Sequence, residues 1–553
     1  MTREPPVPAD ATLEPRIHEI APGVPIQFED PHLASLTWER DAVHMPLALT
    51  PLAGDYALIL GDSLNEQYPL RSGGFPQRWH AAVWHGYVYY AFERNATDEE
   101  WAAIRARNDQ LVWERALVTE AYWDNEVLPE LRAIYARIDA IDADDLSGPD
   151  LGDAWDSAWR EAERAWQLHM DVTPAAYRAR EELISVHALA VPGASRGDSN
   201  RLLQGSENEL VDMDRATDEL AALASTTPAV REALRSGARS LGALEALDGG
   251  PTFVAAVNAA LAIHGHLGQL ADDLEMPSFG EQPDLYVTEV AKRLDSPTLG
   301  TEERRLRLLR EADELVELAR SGLSASPDTL ARFDATLALA RTIGPLSERH
   351  NYWIDRAVLA HLRRLAMRVG ARLVRDAVIA HAADVFYLRR AEIGSLLREP
   401  RDQRAVVKRR REEHEADARM RPASSVGGSG ISSDDHPRFA PAQGAAGDAG
   451  FRGTGASPGV ARGFARVVLD MDGFARVDHG DIIVCHNSNS SFVPIFSIAG
   501  GLITNVGGIL SHGAVVAREF GLPAVVGVFD ATTRIADGQE LEIDGTTGTI
   551  QLL

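Results

Sequence analysis

The stretch "GGILSHGAVVAREFGLPAVVG", Gly507–Gly527, sets a Ser-His pair between a glycine turn and an apolar run that carries one arginine and one glutamate. Gly507 and Gly508 permit backbone angles and close approaches that other residues resist. A helix is expected to begin near Ser511, and the unpaired N–H groups of its first turn make a ready site for an anion. A neutral imidazole is both nucleophile and leaving group near neutral pH, so a phosphoryl group on His512 would sit among those donors. Ser511 would add a hydroxyl, and Arg518 a bidentate clamp. The plainer reading of a Ser-His pair is a capping serine beside a packed histidine. The spacing of the glycines, His512, Arg518 and the closing "GLPAVVG" favours the chemical one.

Around this stretch, "GFARVVLD", "DIIVCHN", "GLITN", "PAVVGV", "LEIDG" and "GTIQLL" are short β-branched runs separated by short helical pieces. They predict a small α/β unit over residues 453–553. Before it, Arg421–Gly459 is rich in Gly, Ser, Pro and Ala without apolar period, so residues 416–452 are expected to be a flexible linker. Residues 98–415 are charged, Ala/Leu-rich and helically periodic. "DAWDSAWREAERAWQLHM" aligns Trp155, Trp159 and Trp166 on one face, as core or as the wall of an apolar pocket. "TEERRLRLLREADELVELARSG" reads as a helix from Thr301 to Gly322. Residues 1–97 read as mixed α/β, with strands expected at Tyr56–Leu60 and His85–Glu93. The fold class is therefore multidomain: a mostly helical N-terminal region and a small C-terminal α/β domain.

The chain has 553 residues, with 55 Lys+Arg against 82 Asp+Glu and a formal net charge of −27. Such acidity argues against nucleic acid as a partner. The single cysteine, Cys485, excludes a disulfide framework and a thiolate metal cluster. No apolar run approaches a membrane span and the first residues do not resemble a signal peptide, so a cytoplasmic protein with no membrane partner is expected.

The histidine stretch resembles the phosphohistidine swivelling domain of the phosphoenolpyruvate-utilising family. "ASPGVARGFARVV" (Ala456–Val468) looks like its first strand and turn, "GDIIVCHNSNSSFVPIF" its middle, and "DGQELEIDGTTGTIQLL" its closing strands. The resemblance implies that His512 becomes phosphorylated, with Ser511, Gly507, Gly508 and Arg518 around the phosphate. Gly513 departs from the alanine usual in relatives, a change expected not to threaten the chemistry. Five scattered segments resemble the acceptor-binding region of rifampin-phosphotransferase-type members. They are Trp38–Leu52, Leu202–Asn208, His264–Tyr286, "ERHNYWIDR" (Glu348–Arg356) and Ala383–Ile393.

The family's ATP-grasp domain has no visible signature in the first 420 residues. As with phenylphosphate-synthase-type members, the resemblance implies that a separate ATP-grasp partner supplies the phosphoryl group, using ATP and Mg2+ that this chain does not itself bind. Delivery to an alcohol or phenol needs a base and positive charge. His350 is the candidate base or hydroxyl-orienting group. Arg349, Asn351, His264, His266, Arg201 and Gln204 are candidate acceptor-site residues, each with a structural alternative. No metal ligand set is expected. The rival function is a phosphohistidine relay or regulatory protein whose helical domain binds a protein partner. A phosphoenolpyruvate/pyruvate enzyme is disfavoured because no βα repeat runs through residues 100–415.

Overall fold

The computed structural model describes residues 19–427 and 451–553, less Glu29, Val43, 72–76, Asn95, Ser195, 269–272, 295–299, Arg421, 470–472, 474–475, 489–491, 509–510 and Phe529. Near the N-terminus, β1 (Glu19–Ala21) and β2 (Val24–Pro25) pair as a small ribbon. Strands β3 (Thr37–Arg40), β4 (Gln77–Trp84), β5 (Tyr87–Arg94) and β6 (Ser425–Gly427) form an antiparallel sheet in the order β4-β5-β3-β6. The β4–β5 hairpin turns at His85 and Gly86, with φ of 51° and 74°. Two successive positive φ values suit the right-handed twist of the flanking strands.

Two expectations for this region need correction. Tyr56–Leu60 is not a strand but part of a helix, Pro51–Arg71. A five-residue apolar run fits either element; here Leu52, Ala53, Tyr56, Ala57 and Ile59 are buried, at helical rather than alternating spacing. The first residues of the expected linker, from residue 416, are structured. Residues 404–417 form a helix, and β6 then pairs with β3, while Tyr89 donates its hydroxyl to the Ala423 carbonyl at 2.7 Å. Residues 428–450 of the expected linker lie outside the described residues, and Phe451–Arg452 is already strand β7.

Between the sheets lie the helices. The longest, Gly148–Ala190, runs through Pro174 and buries Trp155, Trp159 and Trp166. The tryptophan stripe is thus core, with Trp166 Nε1 donating to Tyr56 Oη at 2.9 Å. Thr301–Gly322 is a helix with the bounds its sequence suggests. Its N-terminus is capped from a neighbouring helix, since Thr301 N donates to Asp218 Oδ2 at 2.7 Å. Fully buried Asp214 accepts from Thr301 Oγ1 at 2.7 Å and pairs with Arg293 and Arg304. Among the described residues no helix is long and apolar enough to cross a membrane.

The C-terminal unit is an eight-stranded sheet, ordered β7-β14-β13-β9-β10-β11-β12-β8. Its centre is parallel: β9 (Val460–Val468), β10 (Ile482–Cys485), β11 (Gly501–Thr504) and β12 (Ala524–Val526). Strands β8 (Thr454–Ser457), β13 (Glu540–Asp544) and β14 (Thr549–Leu552) add antiparallel margins. Every residue of β10, β11 and β12 is buried, as expected of strands covered on both faces. Phe492, Phe496 and Phe520 of this unit share one apolar cluster with Leu210, Phe253 and Tyr352 of the helical region, so the unit is docked against the helices.

Candidate functional site

After β11 the chain turns back across the end of β10. Asn505 N donates to the Cys485 carbonyl at 3.0 Å and Val506 N to the His486 carbonyl at 3.1 Å. Gly507 follows with φ of 109°, a region that side chains resist, and a Cβ there would also press on Ser511 Oγ at 3.0 Å. Nothing lies within 4 Å of the Cβ position of Gly508. The helix His512–Glu519 then begins at Ser511, which has extended angles (φ −62°, ψ 150°) and makes no side-chain cap bond. The backbone of His512 is therefore the first helical residue, beside N–H groups that Ser511 does not cap. The imidazole of His512 lies outside the described side chains.

Two details add to the sequence reading. Arg518 is buried and its Nη1 donates to the Ala456 carbonyl at 2.8 Å, tying the helix to β8. Arg518 lies six residues along the helix, about 120° around the axis from His512, and its contact with Ala456 gives it a structural role beside the expected phosphate clamp. Gly513 also matters to packing, on which the sequence reading was silent. A Cβ on it would fall 1.8 Å from Ser488 Oγ and 2.7 Å from the Ser488 carbonyl oxygen. The fully buried Ser488 fills the space an alanine would need.

On the sheet side, Arg40 of β3 lies with Nη2 3.4 Å from His486 Nε2. Burial, reinforced by Arg40, pulls the His486 imidazole down to about 4. This contact joins the N-terminal sheet to the loop under Gly507, and the sequence reading did not single out either residue.

In the helical region, His350 closes the short helix Leu346–His350, and a π-helical segment, Asn351–Arg356, follows. In an α-helix, positions five apart lie about 140° apart around the axis. The wider π turn swings Asp355 back onto the face of His350, leaving His350 Nε2 3.8 Å from Asp355 Oδ2. His350 Nδ1 donates to the Leu346 carbonyl at 2.6 Å, so in the neutral imidazole the lone pair is on Nε2. His169, from the helix Gly148–Ala190, brings its Nε2 to 3.7 Å from Asp355 Oδ1, and its ring meets that of His350 edge-on at 4.6 Å. His169 and Asp355 were missed because the first is 181 positions from His350 and the second is brought round only by the π turn.

Four of the other acceptor-site candidates, His264, His266, Arg349 and Gln204, make bonds outside the His350 cluster. His264 Nδ1 donates to Tyr352 Oη at 2.9 Å, and His266 Nε2 donates to the Tyr352 carbonyl at 3.1 Å. Burial, with the neighbouring His361 and His264, pulls His266 down to about 3. Both histidines brace the π segment. Arg349 donates from Nε to Glu209 Oε1 at 3.1 Å. Asn351 opens the π segment and is buried. Gln204 reaches the docked C-terminal unit, donating to the Arg518 carbonyl at 3.1 Å, while Arg201 ends the helix Arg196–Arg201, half-buried.

Comparison with known proteins agrees with this division. Residues 477–548 match the family described as PEP-utilising enzyme, mobile domain. The C-terminal unit is thus similar to the mobile domain of PEP-utilising enzymes. Residues 175–348 match the rifampicin phosphotransferase fourth domain. The chain is 28% identical over 569 residues to Chondramide synthase of Chondromyces crocatus, covering 96% of this chain and 14% of that one. It is 33% identical over 291 residues to Rifampicin phosphotransferase of Streptomyces sviceus, covering 51% of this chain and 32% of that one. An uncharacterised phosphotransferase of Bacillus subtilis is 27% identical over 330 residues, 56% of this chain and 38% of the relative. The chain thus spans between 14% and 38% of the length of these relatives.

Proposed function

We propose that the chain is the phosphohistidine-bearing component of a phosphotransferase. His512 takes a phosphoryl group from a separate ATP-grasp partner that holds ATP and Mg2+. It then delivers that group to the hydroxyl of a small, apolar or aromatic acceptor bound in the helical region. One observation carries this reading: a mobile-domain match whose glycine turn starts a helix at His512, uncapped by Ser511. The fourth-domain match over residues 175–348 supports placing the acceptor among the helices.

In the delivery step the acceptor oxygen attacks phosphorus as the P–N bond to His512 breaks, and the bonding pair returns to the imidazole. The first-turn N–H groups stay with His512, where they stabilise the charge on the phosphoryl oxygens while it is carried. His350, with Asp355 and His169 beside it, orients the acceptor hydroxyl for loss of its proton.

His350→Ala tests the division of labour. His512 should still be phosphorylated, while transfer to the acceptor slows by about 10²-fold or more. Single-turnover assays starting from phosphorylated protein read the second step alone. Equal transfer rates in the variant and the parent would remove His350 from the reaction.

A further inference from the structure

The distances between His169, His350 and Asp355 describe something other than a hydrogen-bonded triad. The two Nε2–carboxylate separations, 3.7 and 3.8 Å, exceed the usual reach of an N–H···O bond of about 2.7–3.2 Å. Ligands about 2.0–2.2 Å from a shared tetrahedral ion stand about 3.3 Å apart. One ligand atom from each of the three residues lies within 4.8 Å of both others. Two of the three separations are therefore within about half an ångström of a closed coordination shell.

We propose that His169, His350 and Asp355 bind a divalent transition-metal ion of the zinc class, leaving at least one coordination position for an oxygen ligand. The donor chemistry suits such an ion: two imidazoles and a carboxylate, without thiolate. The outer support is already in place. The Leu346 carbonyl holds His350 by its Nδ1–H, so that Nε2 faces the carboxylate. The π segment supplies His350 and Asp355 from one turn, and π turns recur at functional sites for this kind of re-aiming. The three side chains are 15%, 6% and 14% exposed, which shields the ion without sealing off all three ligands from solvent.

The role of the ion, though not its binding, rests on the proposed transfer reaction. A hydroxyl on the open position is made more acidic by coordination. His350 then orients the acceptor through the ion, and the hydroxyl proton passes to water.

The test is metal uptake by the full chain after treatment with a chelator, using zinc and then cobalt alone. The parent should bind one equivalent, and zinc-edge X-ray absorption should show backscattering from two imidazoles. His169→Ala and Asp355→Asn should each weaken binding by about tenfold or more, with thermal melting used to check that each variant is folded. Absence of uptake by the parent, a shell without imidazole, or folded variants that bind as tightly as the parent would each overturn the assignment. The absorption spectrum of the parent decides the question even if a variant does not fold. Uptake is read without any phosphoryl donor, so a failure of the transfer reaction and a failure of this site are separate results.

Discussion

Gly513 shows how one missing methyl group is fixed by a neighbour. Sequence comparison treats glycine in place of alanine after a histidine as neutral, but the space beside Gly513 is taken by the Ser488 side chain and its carbonyl. Gly513→Ala should therefore destabilise the C-terminal unit by ~1–3 kcal/mol through overpacking, seen as a lower denaturant midpoint. Ser488→Ala in the same chain should restore only part of the loss, because the carbonyl contact at 2.7 Å remains. A fully stable Gly513→Ala protein would contradict this packing. The glycine turn and the helix start at His512 were legible from the sequence, since glycines, Ser511 and His512 lie within six residues and the turn follows from local backbone chemistry. The partners of Arg518 and His350 were not, because they depend on which way a helix faces and on residues far away in the chain.

At the scale of elements, long periodic segments were read well and short ones poorly. Thr301–Gly322 has an acidic first turn and a glycine end, and it is a helix over that span. The run Tyr56–Leu60 gave no such signals and was assigned to a strand, although its burial repeats at helical spacing within Pro51–Arg71. The π segment could not be foreseen, as nothing in "NYWIDR" distinguishes a π turn from an α turn. Asp214 illustrates how the helices are held to one another. Burial by itself would raise its carboxyl, but the Arg293 and Arg304 guanidiniums outweigh that and hold it below its ordinary value. Removing it takes a carboxylate from two buried guanidiniums, Arg293 keeping only the part-exposed Asp218, so Asp214→Ala should cost about 3–5 kcal/mol of stability. Urea denaturation monitored by circular dichroism reads that loss, and a cost under about 1 kcal/mol would show that the network relaxes freely.

For the whole molecule, the docked position of the C-terminal unit depends partly on the contact between Arg40 and His486. Burial, and then Arg40, lowers the His486 imidazole from its ordinary 6.5 to about 4. The docked form therefore resists a proton that the released form accepts. The contact is at full strength above pH 6.5 and is lost as pH falls toward 4. Between pH 7 and pH 5 the docking equilibrium should shift toward release by up to about twentyfold. Distances between spectroscopic labels on β4 and β14 would report it, and Arg40→Met should reduce the pH dependence. A label distance that stays constant from pH 7 to pH 5 would remove the contact from the control of docking.

The central claim is that His512 carries the phosphoryl group. The most direct measurement supplies the purified chain with ATP radiolabelled at its β-phosphate, Mg2+ and an extract of its source cells, followed by peptide mapping of acid-labile label. The account expects label on the peptide that contains His512, dependent on the extract and absent from His512→Ala. Label that persists in His512→Ala, or that maps to another residue, would contradict it.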